Sequence, residues 1–204
     1  MEVTQLTDVP FEVFTIDGAF RREEVEALLG FVEDRVARPA ATRDPTFTES
    51  PFTNGKVVHP VLSRALFDRV ANAGALPPVF RDRGGRSWEW VGGSRHVFYA
   101  VLGPGDLFGI HTDTGSVWER PSAAGGAESL TCSKHTVLVY LNEPPLAFSG
   151  GDTEFFTDAF EPTCTVTPRT GRVVAFDIDR YHRGCEVLTG RKVWVGIELV
   201  AKHI

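Results

Sequence analysis

The sequence predicts an α+β protein: a jelly roll with N-terminal helices packed on one sheet. Three observations carry that expectation. Apolar residues recur at helical spacing in two N-terminal segments. From Val97 onward the period switches to two and stays there to the end of the chain. The period-two segments are short, about eight in all, and are separated by glycine or proline turns, which is how a double-sheet jelly roll reads. Helices first and strands after lay the helices on one side of a sheet structure.

The elements follow in order. Phe11 to Ile16 is aromatic and β-branched, so it reads as a short strand, and Asp17-Gly18 turns the chain. Arg21 to Arg38 is a helix. Val25, Leu28, Leu29, Val32 and Val36 form its apolar face, and Glu23, Glu24 and Glu26 suit its positive N-terminal end. Pro39 to Gly55 is a long polar connection and a candidate part of a site entrance, with Arg43, Phe47 and Asn54 available to a ligand. Pro60 to Ala73 is a second helix with Leu62, Leu66, Val70 and Ala73 on one face and Gly74 as its cap. Arg81 to Gly93 is charged and glycine-rich, with Trp88 and Trp90. Strands are expected over Arg95–Leu102, Leu107–Asp113, Thr136–Asn142, Thr153–Phe156, Cys164–Thr167, Arg172–Phe176, Arg183–Val187 and Lys192–Val200. Leu188-Thr189-Gly190 joins the last two, and Ser149 to Asp152 is a turn. Thr114 to Ser133 reads as a structureless loop with glycines, long enough to suggest a lid.

Length and composition set limits. At 204 residues the chain suits one domain: residues 1–94 as an N-terminal strand with supporting helices, 95–204 as a jelly-roll core. The net charge of −6 offers no basic excess to hold a polyanion, so nucleic acid is not an expected partner. The three cysteines are unpaired in spacing, which favours a reducing, cytoplasmic setting over a disulfide scaffold. Met-Glu-Val-Thr-Gln is not the basic start of a secretory signal. No apolar run approaches the roughly 20 residues of a membrane helix, so no membrane partner is expected.

The chemistry centres on His111-Thr112-Asp113 and His182. On a strand, residues two apart point to the same face. An imidazole and a carboxylate from His111 and Asp113 therefore reach one point, and a second imidazole from another strand completes a two-histidine, one-carboxylate facial triad. That donor set leaves positions open on Fe(II) and is how non-haem oxygenases bind iron. Alone, His-x-Asp is equally a turn-end aspartate beside a surface histidine.

The ordered motifs resolve this. Gly105-Asp106-Leu107-Phe108-Gly109-Ile110-His111-Thr112-Asp113, then Val139-Tyr140-Leu141-Asn142, then Ser149-Gly150-Gly151-Asp152-Thr153-Glu154-Phe155, resemble the prolyl-4-hydroxylase-like branch of Fe(II)/2-oxoglutarate oxygenases. Pro168, Gly171, Phe176, His182-Arg183-Gly184, Val187, Gly190 and Lys192 follow in that branch's order and spacing. The likeness covers roughly residues 95 to 200.

The resemblance implies a double-stranded β-helix and a hydroxylase using Fe(II), 2-oxoglutarate and O₂. It implies His111, Asp113 and His182 as metal ligands and Lys192 on the distal carboxylate of 2-oxoglutarate. A cation inside the apolar run Val193-Trp194-Val195 is costly without an anion, which favours that role. Arg191 is the fallback, because a one-residue slip flips the face. Tyr140, with Tyr99 second, is a candidate to hold 2-oxoglutarate by its hydroxyl; both read equally as core packing. His96, His135 and His203 are not placed with the triad. Related halogenases replace the ligand carboxylate by a small residue. This chain keeps Asp113, so hydroxylation is the default, with desaturation or ring closure open to the same ligands.

For substrate, the expectation is a small molecule, a free amino acid or a biosynthetic intermediate. Arg95, Arg120 and Arg43 are candidate carboxylate anchors, and Trp118 and Arg120 lie on the candidate lid. A prolyl residue in a peptide or protein is the alternative within the enzyme class. A non-catalytic, cupin-like metal-binding jelly roll is the alternative outside it. The oligomeric state is not legible.

Overall fold

The computed structural model describes residues 1–9, 12–37, 53–115, 117–120 and 129–204. The N-terminal part holds β1 (Glu2–Gln5), β2 (Val13–Asp17), α1 (Arg22–Val36), β3 (Thr53–Val58) and α2 (Pro60–Asn72). Then come β4 (Val79–Arg81), β5 (Ser87–Gly93), β6 (His96–Leu102), β7 (Phe108–His111), β8 (Val117–Arg120) and β9 (Ser129–Tyr140). The chain ends with β10 (Phe148–Gly150), β11 (Thr153–Phe156), β12 (Pro162–Val166), β13 (Val173–Asp177), β14 (His182–Gly184), β15 (Val187–Gly190) and β16 (Lys192–His203).

The predicted helices form where the apolar spacing puts them. In α1, Val25, Leu28 and Val32 are buried, and the Glu24 carboxylate accepts from the Arg21 backbone N–H, satisfying one exposed donor of the first turn. In α2, Leu66 and Val70 are buried, each such side chain contributing roughly 1.5–3 kcal/mol. Both helices pack on one face of the large sheet, in a core with Val97, Val101, Val139, Val195 and Ile197. No helix among the described residues is long and apolar enough to cross a membrane.

The large sheet runs β1-β2-β13-β9-β16-β5-β4, with β6 on β16, β3 on β6 and β8 on β9. A four-stranded sheet, β12-β11-β14-β7, faces it, and β10 pairs β15. All pairings are antiparallel, and the sheets sandwich a second apolar layer of Leu138, Tyr140, Phe155, Val174 and Phe176. This is the double-stranded β-helix, a jelly roll carrying its helices on one side.

Several expectations need correction. The charged stretch 81–93, to which the sequence assigned no element, carries strands: β4 and β5 pair there, and Trp88 is fully buried. The loop 114–133 is not structureless where it is described, because β8 pairs the first residues of β9 and extends that strand into a ribbon. The connection ending at Gly55 gives way to β3 at Thr53. Leu188 to Gly190 is strand rather than turn, paired to Phe148–Gly150 and tied by the Ser149–Thr189 hydroxyl contact of 2.7 Å. For β3, which pairs β6, and for Leu188–Gly190 the missing information was a pairing partner distant in sequence, whereas β4–β5 and β8–β9 are local pairings.

Candidate metal centre

Two strands of the small sheet bring the histidines together. His111 ends β7, His182 opens β14, and the two are register partners with ring centroids 4.3 Å apart. Asp113 is not on the strand as expected, because β7 stops at His111. Its N–H donates instead to the Ile178 carbonyl at 3.1 Å, which turns the carboxylate toward the histidines. Asp113 Oδ1 lies 3.5 Å from His111 Nε2 and 3.8 Å from His182 Nε2. One donor atom from each of the three residues lies within 4.8 Å of the others, the compactness one metal ion requires.

The surroundings fix each donor. His111 Nδ1 meets the Gly109 carbonyl at 2.7 Å and His182 Nδ1 meets the Arg180 carbonyl at 3.0 Å. A carbonyl only accepts, so each Nδ1 carries the proton and each Nε2 presents a lone pair to the site. Thr136 on β9 donates its hydroxyl to Asp113 Oδ2, leaving Oδ1 for a metal. Burial opposes charge on Asp113, but the hydrogen bond with His111, the proximity of His182 and the Thr136 hydroxyl hold its carboxyl below the ordinary range. Burial depresses His182, keeping it neutral, as a ligand must be. For His111, burial is the largest effect and works the same way, yet the hydrogen bonds with Asp113 and Gly109 and the Asp113 charge together outweigh it and raise the pKa. This donor set fits Fe(II).

The centre opens on a cavity of about 790 Å³ between the two sheets. Lys192 lies at one wall. Its Nζ donates to the Gly151 carbonyl at 2.5 Å and sits 5.3 Å from the centre of the Tyr140 ring. Gly151 has φ +73°, and a Cβ there would press on the Lys192 stem, so glycine suits both the turn and the lysine. The residue is 3% exposed, and burial pushes its pKa down to about 8. Among the described residues no carboxylate pairs with it, so the ammonium faces the cavity in need of an anion.

Other candidates fare differently. Arg191 points the opposite way, exposed and 3.5 Å from Glu33, so the one-residue slip does not occur. Tyr140 is buried on the inner face, its hydroxyl 2.8 Å from that of Thr153, and burial pushes its phenol pKa up. Tyr99 does not share that face. Register pairs Tyr99 with Val195 but Tyr140 with Trp194, so although Tyr99 borders the cavity, its ring belongs to the helix-side core. Arg95 is exposed and off the cavity wall. Trp118 and Arg120 stand on β8, but their side chains, like all of Arg43 and Phe47, lie outside the described residues. Asn54 does line the cavity. His135 is buried against Phe80 and Trp90, away from the triad, and His203 is exposed.

Among the lining residues that escaped the sequence reading are Thr136, Lys56 and Glu198. Glu198 left a signal, a charge at the same strand parity as Lys192 within an otherwise apolar run. Thr136 and Lys56 left none.

A double-stranded β-helix with this triad at its mouth defines a non-haem iron oxygenase. The model of the 2OG-Fe(II) oxygenase superfamily matches residues 96–197, and the chain belongs to that family. It is therefore a dioxygenase using iron(II) and 2-oxoglutarate, and the non-catalytic jelly-roll alternative falls away. Solved structures agree on the fold. The 2-oxoglutarate complex of the viral collagen prolyl hydroxylase vCPH from Paramecium Bursaria Chlorella virus-1 is similar at TM-score 0.56 and 14% identity, over 95% of this chain and 97% of that one. A Pseudomonas putida prolyl-4-hydroxylase aligns at TM-score 0.54 and 16% identity, over 93% and 92%. HygX from Streptomyces hygroscopicus, with nickel, 2-oxoglutarate and hygromycin B bound, aligns at 0.57 and 17%, over 93% and 83%. A search of curated protein sequences returns no match.

Proposed function

We propose that the enzyme hydroxylates an unactivated C–H bond of a small molecule, a free amino acid or biosynthetic intermediate. The observation that carries this reading is the cavity itself. About 790 Å³ of space bordered by the triad, Lys192 and a largely apolar wall of Phe98, Phe108, Leu138 and Trp194 suits one small molecule beside 2-oxoglutarate.

When bound, iron(II) and 2-oxoglutarate supply the activation of O₂ for hydroxylation, with release of succinate and CO₂. The protein's residues do the rest. His111, Asp113 and His182 hold the metal on one side. Lys192 places its ammonium for the distal carboxylate, and Tyr140 orients the Thr153 hydroxyl at the same wall. Phe108, Phe176 and Trp194 exclude water from the reacting face. The free thiols of Cys132, Cys164 and Cys185 support a reducing, cytoplasmic setting.

Prolyl hydroxylation of a peptide is the second reading, favoured by the fold shared with two prolyl hydroxylases. The test is succinate release by the iron-loaded protein, offered free amino acids in one series and proline-containing peptides in another. Stimulation by a free amino acid alone supports the proposal; stimulation by peptides alone sinks it.

A further inference from the structure

At the cavity wall beside the metal centre stand two opposite charges that the cofactor does not use. Glu198 on β16 is 7% exposed and Lys56 on β3 is half-buried, and both line the cavity. Glu198 is the register partner of Thr136, the residue whose hydroxyl holds Asp113. Directly opposed side chains on neighbouring strands are roughly 5 Å apart at Cβ, so the pair adjoins the iron ligand.

The pair is not closed on itself. Ser133 donates its hydroxyl to Glu198 Oε2. Within the described residues, Oε1 meets only Lys56 Nζ, at 3.9 Å, beyond hydrogen-bonding reach. The positive charges of iron(II) and Lys192 match those of Asp113 and the 2-oxoglutarate dianion. The loaded centre thus calls on neither Glu198 nor Lys56. A carboxylate and an ammonium largely shielded from water, held only in a long 3.9 Å ion pair and facing a cavity, suit a ligand carrying both complements.

Resting on the small-molecule reading above, we infer that Glu198 and Lys56 form a zwitterion subsite. Glu198 takes the ammonium, and Lys56 the carboxylate, of a free α-amino acid whose side chain extends toward the iron. An internal residue of a peptide has neither group and would leave the two charges with only their long 3.9 Å contact and the Ser133 hydroxyl. The subsite therefore also acts against peptides.

The full chain is loaded with zinc(II), which is redox-inert, and 2-oxoglutarate. It is then titrated calorimetrically with the proteinogenic L-amino acids and with their N-acetyl amides. The expected result is that at least one free amino acid binds and its N-acetyl amide does not. Its Kd rises roughly tenfold or more in Glu198→Gln and in Lys56→Met, about 1.4 kcal/mol or more. Both variants keep the weak visible absorption band of the anaerobic iron(II)–2-oxoglutarate chelate, which reports an intact fold and cofactor site. Equal binding of acid and amide, unchanged affinity in variants that keep the band, or no binding by any amino acid overturns the subsite. The amide comparison needs no variant. Failure of the small-molecule reading looks different: the iron-loaded wild-type protein then releases succinate only with proline-containing peptides, and the subsite falls with it.

Discussion

His111 and His182 face each other across the β7–β14 pair, and each presents Nε2 to the same oxygen of Asp113, at 3.5 and 3.8 Å. Neither histidine has another acceptor or donor at Nε2 among the described side chains, so the metal is what joins them. His182→Ala is expected to lose stoichiometric iron while keeping its far-ultraviolet circular dichroism. Iron retained at one per chain in that variant would remove His182 from the ligand set.

Thr136 touches no metal but fixes which Asp113 oxygen remains available. Removing a partner of a metal ligand costs about 10–100-fold in affinity or activity. Thr136→Val, nearly equal in volume, is expected to weaken iron binding by about tenfold, read by competition with a chelator.

Lys192 is the buried cation awaiting an anion. Truncating one member of a buried charge pair costs roughly 2–5 kcal/mol. Lys192→Met should thus raise the Kd for 2-oxoglutarate by at least about thirtyfold with iron stoichiometry unchanged. Equal 2-oxoglutarate affinity in the variant would assign the distal carboxylate to another group.

The same lysine gives a pH signature. Its pKa in the folded protein, about 8, lies below the ordinary 10.5 because burial disfavours the charge. Between those values the unfolded chain binds more protons than the folded one. Stability of the ligand-free protein therefore rises with pH across that window, by about 3 kcal/mol in the limit. Affinity for 2-oxoglutarate runs the other way, falling above pH 8 as the ammonium is lost. Calorimetric titration across pH 7 to 10 checks the second trend, denaturant melts the first, and Lys192→Met should flatten both.

Gly196 sits where Phe98 and Leu138 cross β16, and a Cβ there would collide with the Phe98 ring and the Val137 carbonyl. Overpacking of this kind costs about 1–3 kcal/mol. Gly196→Ala is expected to lower Tm by roughly 3–10 °C, measured by scanning calorimetry.

Sequence alone determined the elements whose signal is local. The helical stripes of α1 and α2 and the alternation of the strands are periodicities that follow from side-chain direction along one element, and the His-x-Asp with its distant histidine was legible only within the ordered motifs around it. Sequence favoured Lys192 and kept Arg191 as the fallback, and the strand register buries Lys192 and exposes Arg191. What depends on the neighbouring strand was not legible. Tyr99 and Tyr140 look alike in sequence, yet pairing with Val195 in one case and Trp194 in the other sends them to opposite faces of the large sheet. Asp113 was placed on a strand that ends at His111, because the Ile178 carbonyl draws the chain away from the sheet. Thr136, Lys56 and Glu198 meet around the iron site from three strands. Only register, set by hydrogen bonds between distant segments and by a core that must bury one face of each strand, brings them to one wall.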